Sequence, residues 1–234
     1  MNQSIYFYAK VYGPKALITT PESKAGGEKH SYDVPTQEML KGILDANYFK
    51  PVLTNVVDEV RIMNKIESYT QGTRLLLKNY SSDLSAYTYL TNVCYYVKFH
   101  FEWNENREDL KNDRNFKKHE AITERSLKRG GRRPIFLGVS ECMGYIEALT
   151  EDQYKEDPGF YDQTDRGFGL MFNGFIYPQE PGGLLQAGFA PINMKKGRIS
   201  YIRPEDSPII NQVSNYTFKK AKITKTVEEE LEDY

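Results

Sequence analysis

The residues best suited to chemistry lie in a basic stretch that spans residues 107–133. It contains ten Lys or Arg and five acidic residues, so its net charge is +5, whereas the chain of 234 residues carries −1. Its single histidine, His119, follows Lys118, and imidazole is the side chain that titrates near neutral pH. Local positive charge in an otherwise acidic chain indicates a surface for polyanions. A charged run can also be no more than the solvated face of a helix.

An RNA phosphodiester is a substrate for which these residue types suffice. The ribose 2′-hydroxyl is an internal nucleophile, so a protein need only deprotonate it, neutralise the phosphorane and protonate the leaving 5′ oxygen. His, Lys and Tyr can fill these roles. Lys118 and His119 are predicted to begin a helix, where free backbone N–H groups favour a phosphate. The residues alone leave open whether the pair is catalytic or simply begins the helix.

Other chemistries have little support in the sequence. Metal-ligand spacings such as His-x-x-x-His and Cys-x-x-Cys are missing, as are a Walker-type loop and Gly-x-Ser-x-Gly. We therefore expect no metal site and no small-molecule cofactor. Two glycine pairs, at 26–27 and 130–131, could bring backbone amides close to a phosphate. The remaining histidines and both cysteines are expected to be structural: His30, His100, Cys94 and Cys142.

The composition is that of a soluble globular protein, with 39% hydrophobic and 27% charged residues. Residues 1–13 have neither a basic n-region nor an apolar h-region, and no apolar run approaches the roughly 20 residues of a membrane span. A cytoplasmic protein without a membrane segment is expected. Aromatic residues make up 13% of the chain, which favours β-rich structure and offers flat faces for stacking RNA bases.

The elements that must position the basic stretch follow the order β-α-β-β-α-β, with an inserted hairpin near residues 74–77. Strands are predicted at 3–12, 52–63, 87–103 and 135–148. Helices are predicted at 37–49, after the N-cap Thr36, and at 118–129. Gly130 is expected at the C′ position that ends the second helix. This order is the ferredoxin-like pattern and covers residues 1–149. A small antiparallel β domain is expected at 150–222, and the acidic tail at 223–234 is expected to be disordered.

Several segments resemble one known family. They are GGEKHSYDVPT at 26–36, LKGILDANYFKP at 40–51, the long segment at 98–142 and YIRPEDSPI at 201–209. They are similar to the CRISPR-associated RAMP-superfamily subunit of the subtype I-C Cascade, a pre-crRNA-processing endoribonuclease. The similarity covers about residues 3–218. It implies an α+β fold: a ferredoxin-like (RRM-like, RAMP) N-terminal domain with a β-rich antiparallel C-terminal extension.

The resemblance also implies a function and a site. Such a subunit cuts CRISPR repeat RNA without metal at the 3′ base of its stem-loop, and stays bound to the crRNA 5′ handle beside the backbone and large Cascade subunits. The catalytic tyrosine of the family's Tyr-aromatic-Lys-Pro motif corresponds to Tyr48. The pair in its Asp-Arg-Asn-x-x-Lys-His motif corresponds to Lys118 and His119. Lys118 is expected to stabilise the phosphorane, and whether Tyr48 or His119 is the base stays open.

Contacts to RNA are expected from the basic residues and glycines near this pair. The expected RNA-binding residues are Arg114, Lys117, Arg125, Lys128, Arg129, Gly130, Gly131, Arg132, Arg133, Gly26 and Gly27. The competing function is a non-catalytic Cascade subunit that only caps the 5′ handle, which would not need Tyr48, Lys118 and His119. A free-standing general RNase would be expected to carry net positive charge, which the chain lacks.

Overall fold

The computed structural model describes residues 3–24, 28–76, 81–178 and 183–216. The helices are α1 (Pro21–Lys24), α2 (Gln37–Asn47), α3 (Phe116–Lys128) and α4 (Glu151–Glu156). The strands are β1 (Phe7–Ala16), β2 (Lys29–His30), β3 (Leu53–Ile62), β4 (Ser68–Leu76), β5 (Ser82–Trp103), β6 (Ile135–Phe136), β7 (Met143–Leu149), β8 (Arg166–Ile176), β9 (Leu184–Met194), β10 (Arg198–Ser200) and β11 (Ile209–Asn215).

The first sheet has the order β10-β3-β5-β1-β7-β6, and all neighbours on this path are antiparallel. Its centre, β3-β5-β1-β7, has the strand order of a ferredoxin-like fold, so the predicted α+β class is confirmed. The first part of β5 also pairs with β4, which forms the predicted hairpin, and with the short β2. Alternate residues of β1, such as Ala9 and Val11, point into the core.

Each of the two main helices begins at a capping side chain. The Thr36 hydroxyl accepts from the backbone N–H of Met39 and begins α2, which buries Leu40, Ile43 and Leu44. The Asn115 side chain accepts from the backbone N–H of Lys118 and begins α3. Both arrangements satisfy N–H groups that a helix start otherwise leaves unpaired.

Gly130 ends α3 as predicted. Its φ is +81°, and its N–H donates to the Leu127 carbonyl at 3.0 Å while Gly131 N–H donates to the Ser126 carbonyl at 2.9 Å. These two bonds form a Schellman motif, which needs a left-handed residue at this position. The chain therefore turns sharply after α3 and brings residues 131–133 back beside the helix.

The residues after 149 form a second sheet and also extend the first. The second sheet has the order β11-β9-β8, whereas β10 pairs with Glu59–Arg61 of β3. Arg61 is 2% exposed and donates to the carbonyls of Tyr154 and Asp157 and to the carboxylate of Asp162. The predicted tail at 223–234 lies outside the described residues.

Two predicted elements differ from the structure. Residues 135–148 do not form one strand but the hairpin β6–β7, because Gly138 has a φ of +96° and a Cβ there would lie 2.0 Å from the Leu17 carbonyl oxygen. The first strand does not end at Gly13-Pro14 but continues to Ala16. Proline is tolerated because the pairing of β1 with β7 ends at Tyr12, so β1 has one partner strand at this point.

Candidate active site

Tyr48 is held where α2 ends. Its backbone N–H donates to the Leu44 carbonyl at 2.9 Å, and its own carbonyl accepts from Asn55 Nδ2 of β3 at 3.3 Å. The hydroxyl of Ser126 in α3 donates to the Asn47 carbonyl at 2.7 Å. The position of Tyr48 is thus fixed by α2, β3 and α3 together.

His119 connects Tyr48 to the loop before α3. Its Nδ1 lies 2.8 Å from the Tyr48 hydroxyl oxygen, and its Nε2 lies 2.9 Å from the Asp113 carbonyl oxygen. A carbonyl can only accept, so Nε2 carries the hydrogen, and in the neutral ring Nδ1 accepts from Tyr48. Two aromatic rings pack edge-on against the imidazole, those of Phe101 and Trp103, and Phe116 packs against both of these rings.

The charges around Tyr48 have opposing effects. Burial raises the pKa of Tyr48, the Asp113 carboxylate raises it further, and the Arg132 guanidinium opposes both. The ring therefore stays a neutral phenol, able to donate to His119. The Lys118 ammonium forms an ion pair with Asp113, and its hydrogen bond lowers the pKa of that carboxyl. Asp113 thus contacts Lys118 through its carboxylate and His119 through its carbonyl, and its carboxylate oxygen Oδ2 also lies 3.8 Å from Nε2 of His119.

Tyr48 and Lys118 face a common cleft of about 460 Å³, which we call the cationic cleft. Four other cations line it, so a negatively charged ligand is favoured. The residues that line the cationic cleft are Tyr48, Lys50, Lys118, Ile122, Arg125, Ser126, Arg129, Gly131 and Arg132.

The predicted RNA-binding residues do not all reach this cleft. Arg125, Arg129, Gly131 and Arg132 line it, and Lys117, Lys128, Gly130 and Arg133 are exposed nearby in sequence. Lys128 pairs with Glu124 at 2.6 Å. Arg114 points elsewhere, since it donates to the Glu105 carboxylate at 3.2 Å and to the Asn104 carbonyl at 3.1 Å. Gly26 and Gly27 lie outside the described residues.

The backbone N–H groups of Lys118 and His119 themselves are already paired and do not face a phosphate. The N–H of Lys118 donates to the Asn115 side chain at 3.1 Å, and the N–H of His119 donates to the Asn115 carbonyl at 3.2 Å. The helix begins two residues earlier than predicted, at Phe116. Contact between this pair and a phosphate therefore depends on the Lys118 ammonium.

Three further residues belong to the site, and two of them are members of the quoted motifs. Lys50 is the lysine of the Tyr-aromatic-Lys-Pro motif, and Asp113 is the first residue of Asp-Arg-Asn-x-x-Lys-His. Ser126 follows Arg125 on α3, and its role is visible only from the contact with α2. Motif membership was thus a signal for two of the three.

Alternative kinds of site have little support in the part of the chain that the structure describes. In that part of the chain, no three His, Cys, Asp or Glu residues come together in a group that could hold a metal ion. No helix described there combines the length and the apolar character needed to cross a membrane. Cys94 and Cys142 are both free thiols.

Comparisons with known proteins show clear similarity over most of the chain. A family model named Cas_Cas5d, described as CRISPR-associated protein (Cas_Cas5), matches residues 7–203. A crystal structure of a CRISPR-associated protein is 38% identical, with 90% of this chain and 98% of that chain covered and a TM-score of 0.75. A functionally uncharacterized protein from Streptococcus mutans is 41% identical, with 89% and 98% covered and a TM-score of 0.73. No curated protein matches.

Proposed function

The chain belongs to the Cas_Cas5d family of CRISPR-associated proteins, and on this premise we propose that it is a metal-independent endoribonuclease. Its substrate is CRISPR repeat precursor RNA, cleaved at the 3′ base of the stem-loop. The observation that carries the proposal is the hydrogen-bonded chain from Tyr48 through His119 to the Asp113 carbonyl, at a cleft lined by cations.

The hydrogen bonds suggest a path for the proton of the ribose 2′-hydroxyl. His119 is fully buried, whereas Tyr48 lines the cationic cleft, so the RNA meets Tyr48. The 2′-hydroxyl gives its proton to the Tyr48 oxygen while Tyr48 gives its own to Nδ1 of His119. The 2′ oxygen then bonds to phosphorus and the bond to the 5′ oxygen breaks. The leaving oxygen takes a proton from solvent, and His119 later releases its proton through Tyr48.

In this proposal Tyr48 and His119 share the role of base. A phenol whose pKa is raised is a poor free base, but an imidazole that accepts its proton as it acts removes this difficulty. Tyr48 is the catalytic residue that touches the substrate. His119 is the positioning residue behind it, in the tautomer set by the Asp113 carbonyl.

Lys118 is proposed to stabilise the negative charge of the phosphorane. Its side chain is half exposed, lines the cationic cleft and is paired with Asp113. An ammonium already oriented by a carboxylate needs little rearrangement to contact a phosphate oxygen. The donor set in the cleft is cationic and phenolic, which suits direct neutralisation of the phosphate by side chains and gives a divalent cation no oxygen-rich cage.

We also propose that the protein remains on its product. The cations that draw the precursor into the cleft contact the phosphates of the cleaved 5′ handle equally well, because cleavage does not remove them. A subunit of Cascade, beside the backbone and large subunits, uses this retention to hold its guide RNA. The non-catalytic capping subunit remains the competing function.

The test is cleavage of a repeat stem-loop RNA by the purified protein in EDTA. We expect one cut at the 3′ base of the stem, with a 2′,3′-cyclic phosphate and a 5′-hydroxyl at the new ends. An RNA with a single 2′-deoxy nucleotide at the scissile position should bind with the same affinity and remain intact. Cleavage of this deoxy RNA, or a strict need for magnesium, would contradict the mechanism. Tight binding without any cleavage would support the capping subunit instead.

A further inference from the structure

A second, smaller cleft adjoins the cationic cleft and has a different character. It encloses about 260 Å³ and shares Lys50 and Arg132 with its neighbour. Its lining adds an aromatic ring, a carboxylate and a carboxamide to the cations. We call it the base pocket, lined by Asp45, Ala46, Asn47, Phe49, Lys50, Arg132 and Arg133.

Phe49 supplies the flat face of this pocket. Its side chain is 49% exposed although it is a large apolar ring, and exposed aromatics beside cations are the usual platforms for single-stranded RNA bases. Phe49 directly follows Tyr48, so the two Cα atoms lie about 3.8 Å apart. A base stacked on Phe49 would therefore belong to a nucleotide next to the scissile phosphate.

The carboxylate of Asp45 and the side-chain oxygen of Asn47 give the base pocket hydrogen-bond acceptors beside its cations. Asn55 Nδ2 donates to one carboxylate oxygen of Asp45 at 2.8 Å and also to the Tyr48 carbonyl at 3.3 Å. The same amide thus orients both Asp45 and Tyr48. Burial raises the pKa of Asp45, against the hydrogen bond from Asn55 and the charge of Lys41, so the carboxylate lacks part of the solvation it would have in water.

Asn47 provides an independent indication of a ligand. The residue is 1% exposed and belongs to the lining of the base pocket, and its side-chain oxygen finds no hydrogen-bond donor within the described residues. Buried polar atoms are nearly always paired, so an acceptor without a donor is most simply explained by a donor that arrives with the ligand. Adenine, cytosine and guanine carry exocyclic amines, whereas uracil has none.

We infer that the base pocket binds the base of a nucleotide adjacent to the scissile phosphate, by stacking on Phe49 and by donation from an exocyclic amine to Asp45 and Asn47. This inference rests on the proposed function, because it places the base beside Tyr48. It adds a preference for adenine, cytosine or guanine over uracil at one position of the repeat RNA.

The experiment measures binding, so that it does not depend on cleavage. Two RNAs are compared, each with the 2′-deoxy scissile nucleotide. Each carries one abasic nucleotide, which lies 5′ of the scissile phosphate in one RNA and 3′ of it in the other. At one position the missing base should weaken binding to the parent protein by about 5- to 150-fold, the range for loss of one stacked base. The Phe49→Ala variant should show a smaller abasic penalty than the parent, because the part of the penalty that comes from stacking is already lost.

A matched control is Phe160→Ala. Phe160 is also an exposed phenylalanine, at 60%, and lines neither cleft, so this variant should keep the full abasic penalty. An equal penalty in parent and Phe49→Ala at every position, or no penalty in the parent, would overturn the inference. If the abasic penalty depends on Phe49 but the protein never cleaves RNA, the proposed nuclease activity is contradicted and the base pocket is still supported.

Asp45→Asn tests the preference for an amine. If the new carbonyl keeps the bond from Asn55, the new NH₂ faces the base, and the carboxylate's acceptor is replaced by a donor. Relative to the parent, the variant should then favour uracil over cytosine at the nucleotide position where the abasic penalty depends on Phe49. An unchanged order of the four bases would overturn the assignment of Asp45. Measurement of the unfolding midpoint of each variant shows that the protein compared is folded.

Discussion

At the scale of single residues, position in the cleft wall separates the tasks of the site. His119 is 0% exposed and Tyr48 is 2% exposed, yet Tyr48 forms part of the cleft wall. A side chain that cannot reach the RNA can still act as a proton acceptor if it is hydrogen-bonded to a side chain that contacts the RNA. The contribution of Tyr48 to the cleavage rate should therefore depend on the presence of His119, and the reverse.

Tyr48→Phe removes only the hydroxyl and leaves the ring in place. The single-turnover rate should fall by about 10²–10⁴-fold, the usual contribution of general acid–base catalysis, while affinity for the deoxy RNA is unchanged. His119→Gln should lower the rate similarly, and the double variant should be no slower than the slower single variant. Tyr96→Phe is the control, because the Tyr96 hydroxyl bonds Asp157 outside the cleft. If the double variant lost as much in log rate as the two single variants together, the shared role of Tyr48 and His119 as base would be contradicted.

His100 has a structural task that depends on pH. Its Nδ1 lies 2.8 Å from Asp58 and its Nε2 lies 3.3 Å from Glu102. Burial alone lowers the pKa of His100, but the hydrogen bonds and charges of the two carboxylates outweigh it and raise the pKa above its ordinary value. The imidazolium therefore stabilises the fold fully below the unfolded pKa of about 6.5, and this stabilisation is lost as pH rises through the folded pKa.

The corresponding prediction concerns His100→Gln. At pH 5.5 this variant should lose about 1.5–3 kcal/mol of unfolding free energy, the range for hydrogen bonds to charged groups, and the difference from the parent should shrink at pH 9. Urea unfolding at both pH values gives the measurement. His30→Gln serves as control, since that ring is exposed. A difference that grows with pH would show that His100 is neutral in the fold.

The sequence could place part of this site but not all of it. Lys118 and His119 adjoin in a motif, and a helix start there is recognisable. Tyr48 lies 71 residues away from His119, so only family resemblance could join them before the structure was known. The Asp113 carbonyl is a backbone group, and no pattern of side chains reveals where a backbone oxygen points.

At the scale of elements, α3 has two functions on two faces. Its buried face carries His119, Thr123, Ser126 and Leu127, whereas Arg125 and Arg129 are exposed and line the cationic cleft. The helix can bind a polyanion on one side because the other side is fixed to α2 and the sheet. Changes to the exposed face should therefore alter binding without disturbing the site.

Neutralising Arg125 and Arg129 to Gln should weaken binding of all RNAs alike. The slope of log affinity against log salt should become shallower by about one to two units, one for each lost phosphate contact. The matched control is Lys65→Gln with Lys155→Gln, which removes the same charge from exposed side chains that pair with acids elsewhere. An unchanged slope in the first variant would mean that these arginines do not contact phosphate.

Elements with strong periodicity were predictable, and those set by tertiary contacts were not. α2 and β3 lie within two residues of their predicted limits, because apolar spacing and capping residues are local signals, whereas β5 begins five residues before its predicted start. The break between β6 and β7 depends on Gly138 approaching the Leu17 carbonyl, which lies far away in sequence. α4 was missed although Thr150 and Gln153 form a capping box.

At the scale of the whole molecule, the charge distribution favours a subunit that keeps its RNA. Positive charge is concentrated around one cleft while the chain as a whole carries −1. With excess repeat RNA we expect about one equivalent of product per protein, because release of the 5′ handle is slow. The handle should co-purify with the protein and with the other Cascade subunits. Rapid multiple turnover without co-purification would identify a free nuclease.

The partners of Arg61 set the order of events during synthesis. This buried guanidinium donates to Tyr154, Asp157 and Asp162 through its two terminal nitrogens, and β10 pairs with the same strand, β3, at Arg198–Ser200. A ribosome adds about 5–20 residues per second, so the roughly 50 residues from Leu149 to Ser200 take about 3–10 s. For that interval the nascent ferredoxin-like half holds an unneutralised cation and a bare strand edge. Co-translational folding of this protein thus finishes late, when its last third emerges.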